Sequence, residues 1–407
     1  MAGPLAHLKV LDLSRILAGP WASQVLADFG AEVIKVERPG KGDDTRQWGP
    51  PYLRDADGQD TADAAYYLSA NRGKKSITVD ITQPRGQALI QQLATQCDIL
   101  LENYKVGGLE KYGLDYRSIR ALNPKIIYCS ITGFGQTGPY AKRAGYDAMI
   151  QGMGGLMSLT GVPEGQPGAG PQKVGVAVAD LMTGMYAVSG VLAAVIHRDR
   201  TGEGQQIDLA LLDTQVAWLA NQAQNYLTSG KSPERQGTAH PNIVPYQAVP
   251  ASDGYFMLAV GNDAQFIKFC EIAGLQQIAA NPAYSTNSAR VQAREELVPV
   301  IERATQMQPA GWWLEKLSAA HVPCGPINNL EQVFADPQVQ ARGMVLEQTH
   351  PVAGKVKTVR NPVGFSASAL DYGQAPPTLG EHTEEVLETL LSLDGDEIAA
   401  LKRDGVV

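Results

Sequence analysis

Short runs of Ile, Val and Leu recur through the first third of this chain, at intervals that helices can fill. They are LKVLDL (Leu8–Leu13), AEVIKVE (Ala31–Glu37), SITVDI (Ser76–Ile81), DILLEN (Asp98–Asn103) and IIYCSI (Ile126–Ile131). The first is followed by a turn at Gly19-Pro20 and a helix that Gly30 closes; the third is followed by PRGQALIQQLATQC, with Pro84 at a helix start. Strands this apolar are buried on both faces, and strands joined through helices lie parallel. The pattern predicts an α/β fold with a parallel sheet covered on both sides. Ligands of such sheets sit beyond the carboxyl ends of the strands. That singles out Ser14–Pro20, Glu37–Gly40, Glu102–Lys105 and Thr132–Pro139. Further on, GEGQQIDLALLDTQVAWLANQAQNYL predicts one more strand and a long helix, and GTAHPNIVPYQ (Gly237–Gln247) a loop. A second, smaller domain is expected from DGYFMLAVGN to about Val322, and a helix pair from GEHTEEVLETLLSL onward.

Several chemistries common on such folds lack their signatures. No GxGxxG follows a strand: the first turn reads SRILAGP, and Arg38 beside Glu37 suits a phosphate better than a ribose hydroxyl. No Walker loop, HExxH, GxSxG or metal-spaced histidine set occurs, so no metal and no tightly bound cofactor is expected. A formal charge of −8, from 34 basic and 42 acidic residues without a basic cluster, argues against nucleic acid as a partner. Four scattered cysteines with no CxxC pair fit a reduced, cytoplasmic protein. The start MAGPLAHLKVLDLS shows no apolar leader. In VAVADLMTGMYAVSGVLAAVIHR (Val176–Arg198), Asp180 interrupts the apolar run and Leu181–Ile196 falls short of ~20 residues, so no membrane partner is expected.

Three segments, ERPGKGDDTR (Glu37–Arg46), NRGKKS (Asn71–Ser76) and ENYKVGG (Glu102–Gly108), set Lys or Arg beside Gly or Asn at a strand boundary. Singly each reads as solvated surface; together they point to a phosphate-rich ligand. Asp180 carries two readings. Asp is a favoured N-cap, and Leu181, Met185, Val188 and Leu192 follow at helical spacing toward Gly202. A carboxylate at a helix N-terminus is also expected to stay ionised. With Gly175, Ala177 and Ala179 leaving room, it is a workable nucleophile toward an activated acyl group.

Six ordered motifs make the whole chain resemble the class III CoA-transferases: VLDLSRILAGPWASQVLADFGAEVIKVERPGKGDDTR, NRGKKSITVDI, ENYKVGGLEKYGL, SITGFGQTGPYAKRAGYDAMIQGMGG, VADLMTGMYAVSGVLAAVIHRDRTGEGQ and LGEHTEEVL. GTAHPNIVPYQA with CGPINNLEQVFADPQV looks most like that family's succinyl-CoA:glutarate branch. The resemblance implies a Rossmann-like large domain from residues 1–225 and 329–407, a smaller α/β domain from 226–328 with its linkers, and an interlocked homodimer. It implies acyl-CoA and a small carboxylic acid as substrates. CoA would pass from succinyl-CoA to a dicarboxylate such as glutarate, through an aspartyl mixed anhydride and an aspartyl-CoA thioester. The nucleophile falls on Asp180. CoA contacts fall on Leu17, Ala18, Arg38, Val79, Asp80, Ile81, Thr82, Asn103, Tyr104, Lys105, Lys111, Arg143, Tyr146 and Asp147. Lys111 stands where relatives often carry Arg, which makes a single phosphate contact of a bidentate one. GTAHPNIVPYQ replaces the Gly-rich lid of formyl-CoA transferase and makes His240 and Asn242 acceptor-side candidates. Two rival readings stand beside this one. An α-methylacyl-CoA racemase is disfavoured by Tyr146, where that branch has His; the other rival is a non-catalytic CoA-binding protein.

Overall fold

The computed structural model describes residues 3–407. Six strands form its main sheet: β1 (Lys9–Asp12), β2 (Glu32–Glu37), β3 (Lys74–Thr78), β4 (Ile99–Glu102), β5 (Ile127–Thr132) and β6 (Gln206–Ala210). Across the sheet they run β6-β5-β4-β1-β2-β3, and every neighbouring pair is parallel. The chain therefore moves outward from β1 through β2 and β3, then crosses back to β4 on the other side of β1. This is the Rossmann order, and its reversal between β1 and β4 opens a crevice at their carboxyl ends.

Alternation along the strands sends Val10, Val33 and Leu101 to one face and Leu11, Ile34 and Leu100 to the other, all buried. Each such side chain contributes roughly 1.5–3 kcal/mol relative to exposure. The first face is covered by α1 (Ala18–Asp28) and α4 (Val178–Thr201). The second is covered by α2 (Pro84–Gln96) and the C-terminal pair α8 (Thr383–Leu391) and α9 (Gly395–Arg403). Gly184 lets α4 lie close on α1: a Cβ there would stand 2.7 Å from the Ala18 carbonyl oxygen and 3.1 Å from Trp21 Cδ1. Asp180 lies one turn earlier on the same side of α4. The crossing therefore sets it near the start of α1.

The chain divides into two compact units. One runs to Leu156, resumes over Val174–Leu219 and again over Gln340–Val407; the other comprises Met157–Lys173 and Ala220–Val339. The second unit thus begins at Ala220 and ends at Val339, where 226 and 328 were expected, and Met157–Lys173 is an excursion the sequence pattern does not signal. The second unit holds an antiparallel sheet of β7 (Tyr246–Ala251), β8 (Gly254–Ala259) and β9 (Cys324–Pro326). Its core gathers Phe256 and Leu258 with Phe266, Phe269 and Trp313, which come from α5 (Asp263–Ile272) and α7 (Ala310–Ala319). Between those helices in sequence runs α6 (Arg294–Thr305), whose Thr305 carbonyl accepts the buried Trp313 Nε1–H at 2.7 Å.

Two sequence expectations are corrected. The strand read as Ser76–Ile81 begins at Lys74 and ends at Thr78, because the Asp80 N–H leaves the ladder to bond the Val406 carbonyl at 2.7 Å. The long helix after β6 is broken into Leu211–Ala217 and Ala220–Ser229, where Ala220 takes a left-handed φ of 46°.

Candidate active site

Asp180 stands in the first turn of α4 but does not cap it. The N-cap is Ala177, which has no side-chain cap bond. Capping comes instead from Asp147, the first residue of α3 (Asp147–Met153). Its Oδ1 accepts the N–H of Ala179 at 2.8 Å and of Asp180 at 3.4 Å, while Oδ2 accepts from Gln151 Nε2 at 2.7 Å. Asp147 reaches this place because Gly133, just past β5, and Gly145 meet backbone to backbone. A Cβ on Gly133 would lie 2.6 Å from Gly145 Cα. The cap reading of Asp180 therefore gives way: a second acid holds the helix start, and the Asp180 carboxylate is left for other work.

Burial, and after it the Asp147 charge, push Asp180 up to about 7. The expected full ionisation at neutral pH is thus corrected. Removing a carboxylate from water beside another acid outweighs a helix dipole worth ~0.3–1 kcal/mol. A carboxylate of this basicity is a stronger nucleophile than a solvated one and still ionises near neutrality. Tyr66 is pushed to about 12 by burial and then by the charges of Asp180, Asp147 and Asp43. It therefore keeps its hydroxyl proton at neutral pH, within electrostatic reach of both acids. Its ring packs edge-on to Trp48 at 5.2 Å. No motif in the sequence pointed to Tyr66.

At the carboxyl ends of the central strands lies a cleft lined by Arg15, Lys35, Glu37, Arg38, Asp43, Val79, Ile81 and Tyr104, among others. It brings together four of the expected CoA contacts: Arg38, Val79, Ile81 and Tyr104. The two guanidiniums are held by one acid: Asp44 pairs with Arg15 Nη1 at 2.6 Å and Arg38 Nη2 at 2.9 Å. Leu17 is the N-cap of α1 and supplies no side-chain cap, so the backbone N–H groups at this helix start keep their capacity. Asn103 is turned to the protein: it accepts the Arg15 N–H at 2.9 Å and donates to the Arg15 carbonyl at 2.6 Å. Asp80 folds onto Thr82, accepting its N–H at 3.0 Å and its hydroxyl at 2.7 Å.

The remaining candidates lie outside that cleft. Lys105 lines a neighbouring one with Glu102, Ser130 and Gln206, where burial pushes Glu102 up to about 7. The Lys111 ammonium sits over the Tyr112 ring at 4.6 Å, and the Arg143 guanidinium over Tyr140 at 4.5 Å. Tyr146 is exposed. His240 and Asn242 belong to the second unit, where the Asn242 N–H donates to His240 Nδ1 at 3.0 Å and the Arg294 charge and burial lower the His240 affinity for protons. Burial is the larger of those two effects.

The anion-site reading of NRGKKS is corrected. Arg72 pairs with Asp28 at 2.6 Å, and the fully buried Lys74 donates to the Pro20 carbonyl and to Asn71, both at 2.9 Å, beside Asp12 at 3.4 Å. Charges this deep need protein partners rather than a ligand. Burial pushes Lys74 down to about 7 even so.

A Rossmann-ordered sheet, a cleft at its crevice and a carboxylate raised to about 7 in the first turn of α4 are the features of an α/β enzyme. The chain belongs to CoA-transferase family III, whose sequence model matches residues 5–383. It is 53% identical over 391 residues to the succinate–glutarate CoA-transferase of Agrobacterium fabrum, covering 96% of each chain. It is 46% identical over 404 residues to the succinyl-CoA:glutarate CoA-transferase of Homo sapiens, covering 99% of this chain and 90% of that one. A solved structure of a CAIB/BAIF family protein from Brucella suis superposes with a TM-score of 0.84 at 51% identity, over 96% of this chain and 100% of the other. These relatives do not favour the racemase alternative.

Proposed function

We propose that this CoA-transferase moves CoA from succinyl-CoA to glutarate, with Asp180 carrying first the acyl group and then CoA. The substrates are supported by relatives named for that reaction at 53% and 46% identity. One observation supports the nucleophile above others: a half-buried carboxylate in the first turn of α4, raised to about 7. In the proposed sequence Asp180 attacks the thioester carbonyl, the C–S bond breaks, and a mixed anhydride and CoA thiolate result. The thiolate then attacks the aspartyl carbonyl, releasing succinate and leaving an aspartyl-CoA thioester. Glutarate repeats these steps in reverse. Each bond broken is replaced by one of similar energy, so the protein's task is to hold the thiolate close and to stabilise two oxyanions. It must also exclude water, which would hydrolyse either intermediate.

Succinyl-CoA offered with a panel of mono- and dicarboxylic acids is expected to give glutaryl-CoA with the highest kcat/KM. A different acid preferred tenfold would overturn the acceptor assignment. In deuterated solvent no α-deuteration is expected; its appearance would favour a racemase.

A homodimer belongs to this proposal. Tyr186, Ile196 and Trp218, in the unit that holds the main sheet, are large apolar side chains left exposed, and in this proposal a partner covers them. Sedimentation should report twice 43.5 kDa, and a 43.5 kDa species at working concentration would count against it. Four free cysteines, three of them buried, support the cytoplasmic placement.

A further inference from the structure

Ile16 is a β-branched residue with a φ of 72°, in the left-handed region that such side chains resist. It lies between Arg15, which lines the cleft, and Leu17–Ala18, which open α1. Four successive backbone groups around it are each held by a side chain. Lys35 Nζ donates to the Ser14 carbonyl at 3.1 Å, and Asn103 takes both the N–H and the carbonyl of Arg15. The Ile16 N–H is shared by the two Asp43 oxygens, each at 3.3 Å. Asp43 is itself fixed: it pairs with Lys35 at 2.8 Å, both sealed from solvent, and accepts the Thr45 N–H at 3.0 Å and hydroxyl at 2.8 Å. A segment that only joined β1 to α1 would place glycine here, which adopts this φ freely. The chain instead keeps Ile and uses a buried ion pair to hold it.

We propose that Asp43, backed by Lys35, is a positioning residue for acyl transfer: by holding Ile16 left-handed it presents the uncapped start of α1, at Leu17 and Ala18, to the thioester carbonyl beside Asp180. The strain is retained because the helix start must meet the crossing of α4 over α1 in one orientation. This rests on the reading of Asp180 as the nucleophile.

Ile16→Pro fixes φ near −65° and removes the N–H that Asp43 holds, whereas Ile16→Gly keeps both the N–H and access to the left-handed region. Ile16→Pro is expected to lose about 100-fold in kcat with the KM for succinyl-CoA changed less than about threefold. Ile16→Gly should retain at least ~10 times the kcat of Ile16→Pro. Asp43→Ala should lose kcat in the same way, and adding Ile16→Gly should restore most of it. A merely structural role would lower the Tm of both variants, leave kcat per folded enzyme intact and show no rescue by glycine. Either pair decides the matter should a variant of the other fail to fold. The proposal is overturned if folded Ile16→Pro keeps kcat within threefold of the parent, or if glycine fails to rescue folded Asp43→Ala. Labelling of Asp180 by hydroxylamine in the parent enzyme reports separately on the nucleophile, so failure of that reading is distinguishable.

Discussion

Asp180→Ala and Asp180→Asn are expected to lose CoA transfer by roughly 10³- to 10⁶-fold in kcat, the range seen when a covalent nucleophile is removed. Binding of CoA, followed by calorimetry, should persist, because the cleft proposed for it, with Arg15, Arg38 and Tyr104, is built by other residues. The same change should stabilise the fold. The native chain holds the Asp180 proton up to about 7, whereas the unfolded chain releases it near 3.8. Between those values the folded state binds more protons, so stability falls as pH rises through the window and stays reduced above it. Asparagine does not ionise and escapes this loss. Asp180→Asn should therefore melt higher than the parent at pH 8, and the difference should close below about pH 4. An inactive variant with the opposite pH trend would show that burial does not govern Asp180. A fully active alanine variant would remove it from the mechanism.

Asp147 is expected to give the second large effect, and its two substitutions should separate its two roles. Asp147→Asn removes a negative charge beside Asp180 while leaving an oxygen able to accept from the Ala179 N–H, at the expense of the Gln151 bond. In the parent, kcat/KM should rise with pH through about 7 as Asp180 ionises. In Asp147→Asn that acid limb should move down, yet remain above the ordinary carboxylate range, because burial is the larger cause. Asp147→Ala removes the cap as well, and should cost about 0.5–2 kcal/mol of stability. Its kcat should fall by about 100-fold, since the first turn of α4 is no longer fixed. An unmoved acid limb in Asp147→Asn would mean that the charge does not reach Asp180.

Much of the fold is written locally. The β1, β2, β4 and β5 runs are continuous and apolar because both faces of the sheet are covered, and that composition is visible without a structure. Gly30 at φ 96° and Gly202 at φ 79° end α1 and α4 where the helical spacing ends. The end of β3 was not legible, since Val79 and Ile81 are buried like strand residues although Asp80 has turned to Val406 at the far end of the chain.

The site divides in the same way. Arg38, Val79, Ile81 and Tyr104 follow strands, so topology alone gathers them. Asp180 was legible as a lone acid in an apolar run, but its cap was not. Asp147 is 33 residues away and arrives through a glycine–glycine contact that no spacing encodes. Lys74 and Arg72 misled for a related reason: composition shows a basic segment and not which way its side chains turn. Ile16 is silent in sequence, because a strained φ follows from the bonds that Asp43, Lys35 and Asn103 make across the crevice.

Asp180 is expected to become covalently loaded during turnover. Hydroxylamine added while the enzyme consumes succinyl-CoA and glutarate attacks an activated aspartyl carbonyl and leaves a hydroxamate, which peptide mass spectrometry locates. A hydroxamate on Asp180 is expected, dependent on succinyl-CoA and absent without it. Turnover confirmed in the same sample with Asp180 unmodified, or the hydroxamate found on another carboxylate, would contradict it.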